Sequence, residues 1–213
     1  MSNNQVIPLF PLGLVLLPGT ALPLHIFEDR YKTMIRSCSR DHAEFGIVYY
    51  NGSLLRRFGC TARTVGVVHT YEDGRMDILN SGNRRFEIIR LIEGEPFLQA
   101  EIRFFEDTPE DQVHLNELAM SAIDHIEDLA NLAGKKFERA ALHRMSPQTL
   151  SFVLANTDLL NLEERQEVLE GTSCGKRLQT VVLSAQRSME RLNSTKQLQQ
   201  LLGVGNDISH MFN

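Results

Sequence analysis

Residues 7–27, IPLFPLGLVLLPGTALPLHIF, limit this chain more than any other stretch. A membrane-spanning helix needs about 20 uninterrupted apolar residues, and a secretion signal needs basic residues ahead of its apolar core. The preceding MSNNQV holds no Lys or Arg, and Pro8, Pro11, Pro18 and Pro23, four of the seven prolines, interrupt the run. Each proline fixes φ and removes a backbone donor, so a helix through them would lose several hydrogen bonds. The run divides instead into VIPLFPL, LVLLP and LPLHIF around a break at Gly19-Thr20. That spacing predicts short buried and edge strands of a folded core, with no membrane role and a cytoplasmic location.

Charge narrows the partners. The net charge is −5, with 12 Lys+Arg against 13 Asp+Glu in residues 1–107 and 10 against 14 in residues 108–213. Neither half is basic, which weighs against affinity built on phosphate neutralisation. Cys38, Cys60 and Cys174 are odd in number and far apart, and no CxxC or HxxxH spacing occurs. Neither a disulfide framework nor a zinc site is indicated, and a reducing compartment fits.

The two halves differ in period. Tyr31, Met34, Ile35 and Cys38 fall at helical spacing behind Glu28 and Asp29, which predicts one early helix. EFGIVYY, ARTVGVVHTY, RMDILNSG, RRFEIIRLI and FLQAEIRFF then read as strands, with turns expected at Asp73-Gly74, at NSGN (80–83) and at EGEP (93–96). Successive hairpins imply a mostly antiparallel meander, bent or closed into a barrel, although a β-sandwich fits the same pattern. After residue 107 the period becomes 3.6. Thr108-Pro109 reads as a helix start before a stripe of Leu115, Leu118, Ala122, Ile126, Leu129 and Ala133. Ser146-Pro147 repeats that signal, Asn161 with Glu164 reads as a capping box, and Gly171 as a stop. A last helix is expected from about Ser173 to Leu202. The expectation is an α+β chain: a β-rich lobe over 1–107, a lobe of about four helices over 108–202, and a loose tail over 203–213.

Motifs for chemistry are weak. GTSCGKR (171–177) approaches a phosphate-binding loop, but it has three residues between its glycines, Arg177 after Lys176, and a helical segment before it. No GxSxG elbow occurs, and the seven histidines do not cluster in sequence; His125 and Asp128, one helical turn apart, read as a solvated face. Arg84, Arg85, Arg90 and Arg103 on neighbouring strands would form an anion patch, except that Glu87, Glu93, Glu95 and Glu101 interleave and offer pairing. No aromatic interleaving of the base-stacking kind accompanies them. The remaining possibility is apolar surface. The first 27 residues hold more aliphatics than a few short strands need, and Tyr49 and Tyr50 must point to opposite faces of their strand.

IPLFPLGLVLLPGTALPLHIFEDRYKTMI resembles the opening of the amino-terminal domain of Lon proteases. TVGVVHTYEDGRMDILNSGNRRFEI, FLQAEIRFFED, LEERQEVLE and RLQTVVLSAQRSMERL follow in the family's order, so the likeness covers roughly residues 5–202. It implies a PUA-like pseudo-barrel with one helix, then a small helical lobe, and a part in substrate recognition. No Walker motif and no Ser-Lys pair in a peptidase setting is found, so no catalytic residue, cofactor or metal is expected and the chain reads as non-enzymatic. The function expected is a protein- or peptide-binding module for exposed apolar segments of unfolded or specific client proteins. Its contacts are assigned to Leu16, Leu17, Leu22, Leu24, Tyr49 and Tyr50, in a groove between the lobes or along a free strand edge. Pro11, Pro18, Gly19, Pro23, Glu28 and Tyr31 match family positions as structural residues. The alternatives are an RNA-binding PUA-like protein, using the arginines, and an adaptor docking on a separate protease or chaperone.

Overall fold

Two strands are much longer than the sequence pattern suggests, and they shape the whole sheet. The computed structural model describes residues 4–92 and 96–201. In chain order it contains β1 (Asn4–Leu12), β2 (Ala21–Ile26), α1 (Asp29–Asp41), β3 (Phe45–Tyr50), β4 (Leu55–Thr70), β5 (Met76–Ile92) and β6 (Gln99–Phe104). These are followed by α2 (Gln112–Leu132), α3 (Arg139–Leu142), α4 (Pro147–Ala155), α5 (Leu162–Glu170) and α6 (Cys174–Leu201). The expected turn at NSGN lies inside β5, which runs unbroken for 17 residues. Asn80 is fully buried there, donating to the Leu22 carbonyl and accepting from the Thr64 hydroxyl. At Gly82 a Cβ would collide with the Leu17 backbone carbonyl. The tetrad marks a close approach of two backbones, and its turn-like composition has that cause. The expected turn at Asp73-Gly74 forms, with Gly74 at φ 79°; most of the one at 93–96 falls outside the described residues.

β4 and β5 each run through two parts of one six-stranded sheet. Their inner halves join β3, β1 and β6 in the order β5-β4-β3-β1-β6, and β6 pairs back onto β5, closing a five-stranded barrel. Pairing is antiparallel except between β1 and β3, where Leu9–Leu12 run parallel to Gly46–Tyr49. Ile7, Leu9, Val48, Phe86, Ile88, Ala100 and Ile102 fill the interior. The outer halves, beyond the register shift between Cys60 and Ala62, join β2 in a three-stranded flap ordered β2-β5-β4. On its inner face lie Leu22, Ile26, Met76 and Ile78, in one buried cluster with Tyr31, Met34 and Ile35 of α1. Pro8 and Pro11 fall in β1 and Pro23 in β2, so VIPLFPL and LPLHIF form strands as their spacing predicts, whereas LVLLP (14–18) is irregular chain between them and not the expected strand.

The helical region starts differently from expectation. Asp111, not Thr108, caps α2 by accepting from the His114 amide. Thr108 instead donates its amide to the Thr172 carbonyl, tying the linker to the α5–α6 junction. Of the expected α2 stripe, Leu115 and Ala122 are buried and Leu118 and Ile126 pack half-buried on the core, while Ala119 and Ile123 are buried beside them, so the stripe is rotated a little from the expected one. Ser146 caps α4 with Pro147 in its first turn, and Asn161 and Glu164 form the capping box of α5. With the single turn of α3, the described residues hold five helices in this region where about four were expected. One buried cluster runs from Phe10 and α1 through Phe45 and Ile47 to Leu115, Leu150, Val168 and Leu178, so strands and helices share a core.

A buried ion triad seals that core. Asp107, between β6 and α2, accepts from Arg85 of β5 at 2.6 Å and from Arg177 of α6 at 2.6 and 2.7 Å. Both guanidiniums are almost fully buried and stack on Phe152. Arg85 also donates to the Leu169 and Gly171 carbonyls, and Arg177 to the Ser151 hydroxyl. Burial pulls the Arg85 guanidinium below its ordinary range in spite of Asp107, because desolvation penalises the charged form.

Candidate functional site

A closed barrel has no sheet edges, whereas a flap has two, and here they are treated differently. The β2 edge carries Pro23, which has no amide to offer an incoming strand. The β4 edge is open. β3 pairs with β4 only as far as Phe45 opposite Ala62, so from Arg63 to Thr70 no strand pairs with that side of β4 among the described residues. No proline interrupts this stretch, and residues 65–70 are all exposed. Val65, Val67 and Val68 are 66%, 53% and 72% exposed, a density of β-branched side chains normal for a paired strand and unusual for bare surface.

α1 runs beside this edge. Its C-terminal turn and the strand enclose a cleft of about 530 Å³ lined by Cys38, Ser39, His42, Ala43 and residues 63–67. His42 closes the helix in the left-handed conformation at φ 50°, and its amide donates to the Cys38 carbonyl, turning the chain sharply into β3. Arg63 donates to Glu44 at 2.9 Å, and Asn83 donates to the same carboxylate. Burial alone would raise the Glu44 carboxyl, but hydrogen bonds from Thr61, Asn83 and Arg63 and the charge of Arg84 hold it below its usual range. The arrangement offers backbone donors and acceptors along a strand, apolar side chains on both faces and a cleft beside them. These are the parts needed to add an extended peptide as a further strand.

The residues assigned from sequence separate. Leu16, Leu17 and Leu22 are 3%, 0% and 8% exposed and belong to the core, which removes them from any surface in this fold. Their aliphatic excess is used up in covering α1, the flap and the helices together. Leu24 is half-buried on the inner face of β2. Tyr49 packs on the core, while Tyr50 is 41% exposed and donates its hydroxyl to the Gly52 carbonyl at the far end of β3 from the cleft. The six do not form one surface. Sequence reasoning passed over Val65, Val67 and Val68, although ARTVGVVHTY was read as a strand. Their freedom depends on β3 being ten residues shorter than β4 (6 against 16), which no local pattern announces.

The other candidates are occupied. In 171–177 the Gly175 amide donates to the Glu110 carboxylate, and Arg177 is committed to Asp107. Arg90 and Arg103 pair with Glu101 and Glu87, and Arg84 lies over the Phe104 ring. His125 contacts the Ser121 carbonyl and Gln186. Burial pushes the Cys38 thiol up to about 11 and the Cys60 thiol up to about 12, so neither is a ready nucleophile. Among the described residues no group of metal-ligating side chains is assembled, and no helix is long and apolar enough to cross a membrane.

Comparison with known proteins agrees on the fold and the family. The family description "ATP-dependent protease La (LON) substrate-binding domain" matches residues 6–187. The chain is similar to a Lon protease of Dictyoglomus thermophilum, 23% identical over 210 residues that cover 92% of this chain and 26% of that one. It is also similar to one of Anaeromyxobacter dehalogenans, 27% identical over 207 residues covering 91% and 24%. It thus spans about a quarter of the length of these relatives. Two solved structures share the fold. The Lon N-terminal domain protein of Xanthomonas campestris has a TM-score of 0.66 at 24% identity, covering 84% of this chain and 98% of that one. The N-terminal domain of the Mycobacterium avium complex Lon protease has a TM-score of 0.68 at 15% identity, covering 85% and 98%.

Proposed function

The chain belongs to the LON substrate-binding domain family, and from that premise we propose that it is a non-enzymatic module that takes exposed apolar segments of client proteins onto the outer edge of β4. The observation that carries this reading is the open, proline-free stretch from Arg63 to Thr70 with three exposed valines beside the α1 cleft. An arriving segment pairs its backbone with β4, and its side chains meet Val65, Val67 and Val68 and the cleft wall. Backbone pairing supplies affinity without regard to sequence, which suits a module that meets many clients. The two-stranded contact is small, so binding is weak and reversible.

The Val65→Thr/Val67→Thr/Val68→Thr variant tests it. Threonine keeps the β-branched shape and strand preference while removing apolar surface, and all three sites are exposed, so folding is preserved. Binding of a reduced, unfolded client, followed by fluorescence anisotropy, is expected to weaken by roughly tenfold or more, since each lost methyl is worth about 0.8 kcal/mol when covered. An unchanged affinity in a variant with an unchanged melting curve would remove the edge from the binding surface.

A further inference from the structure

Resting on that edge reading, we infer that the client segment preferred by β4 is an apolar strand flanked by acidic residues. The charges around the cleft are lopsided. Arg63 is the only charged side chain in its lining, and no carboxylate lines it. Behind the edge, Arg63 and Arg84 share the single carboxylate of Glu44, whose side chain is 11% exposed, which leaves one cation in excess. Toward the flap tip, Arg36 of α1 is exposed, lies beside Gly74 and makes no ion pair among the described residues.

Most of the acids nearby are already engaged. Asp41 is held by Arg40, whose charge it cancels, and Asp73 by Arg75; Asp29 pairs with Lys32. Glu72, in the flap-tip turn, makes no ion pair among the described residues, and Asp77, opposite His69 in β5, is held by His25 and the Tyr71 hydroxyl. The last α1 carbonyls, a partial negative charge, are partly satisfied: that of Cys38 accepts the Ala43 amide. A strand lying along residues 63–70 therefore meets uncompensated positive charge at the Arg63 end and again near Arg36, with valines between. Acidic flanks meet that pattern and lysine flanks oppose it. Opposite charge across an interface rim sets partner choice and arrival rate more than total affinity.

The test uses dye-labelled peptides of alternating Val and Thr flanked at both ends by Asp, Asn or Lys, titrated with the full chain. The Asp-flanked peptide is expected to bind about fivefold to tenfold tighter than the Lys-flanked one at low salt, with Asn between. The gap closes at about 0.5 M salt, where exposed charges are screened. Arg36→Gln, which strands no carboxylate, narrows the same gap while leaving the Asn-flanked peptide unaffected. Equal binding of all three peptides, or a preference for Lys, overturns the charge inference and leaves the edge reading standing. Failure of every peptide to bind, or binding of the Asn-flanked peptide that the three-threonine variant does not weaken, overturns both.

Discussion

The barrel and the flap are cut from the same two strands, yet they solve the edge problem in opposite ways. In the barrel, β6 returns to β5 and every strand has two neighbours, while the Arg85–Asp107–Arg177 triad binds that wall to α6. In the flap, β2 and β4 have one neighbour each among the described residues; Pro23 blunts the first edge, and the second stays open. The lesson is a division of labour within one hairpin: inner residues are fixed by closure, and outer residues keep backbone groups available.

The largest test of that contrast strikes the seal. Asp107→Ala leaves two buried guanidiniums without their carboxylate, and is expected to lose about 3–5 kcal/mol of stability in urea unfolding. An unchanged midpoint would mean that the triad does not hold barrel and helices together. Next comes the point where barrel becomes flap. Gly82→Val drives a side chain against the Leu17 carbonyl, and a cost of about 1–3 kcal/mol is expected from the forced backbone shift. A thermal melt identical to that of the parent would show that the flap yields freely there.

A third change makes the two flap edges alike. Pro23→Val gives β2 an amide and a β-branched side chain, so self-association in light scattering should rise while the melting temperature moves little. Scattering that stays flat would show that proline is not what silences that edge. The smallest effect is electrostatic. The Glu44 carboxyl is held low in the folded state, so its contribution is complete above the unfolded value of about 4.3 and is lost as pH falls through the lower folded value. Glu44→Gln should flatten the acid limb of a stability–pH curve by lowering stability slightly at neutral pH, where the carboxylate's contribution is complete, and leave the most acidic end almost untouched. An acid limb of unchanged steepness would assign that loss to other carboxylates.

Much of the fold was legible in local chemistry. The proline spacing of the first 27 residues excluded a helix, the period of α1 placed Tyr31, Met34, Ile35 and Cys38 inside, and the caps at Ser146 and Asn161 fell where their side chains announced them. Thr108-Pro109 misled because Asp111 three residues on was the better-placed cap and Thr108 was drawn to Thr172. NSGN misled because composition does not distinguish a turn from a strand crossed closely by another backbone. The site was the least legible part. Leucines that looked surplus in sequence are consumed by a core shared between strands and helices, and the exposed valines look like any buried strand.

The sequence by itself determined the elements, because caps, proline breaks and hydrophobic period act over a few neighbouring residues. It also carried the family likeness, through motifs kept in order along the chain. Only the tertiary structure decided which strands have partners on both sides, that Asp107 gathers two arginines from distant elements, and that Arg63–Thr70 has an open edge. Those facts depend on where a short β3 ends against a long β4 and on β6 closing the ring, and pairing between segments far apart in sequence leaves no mark on either segment alone.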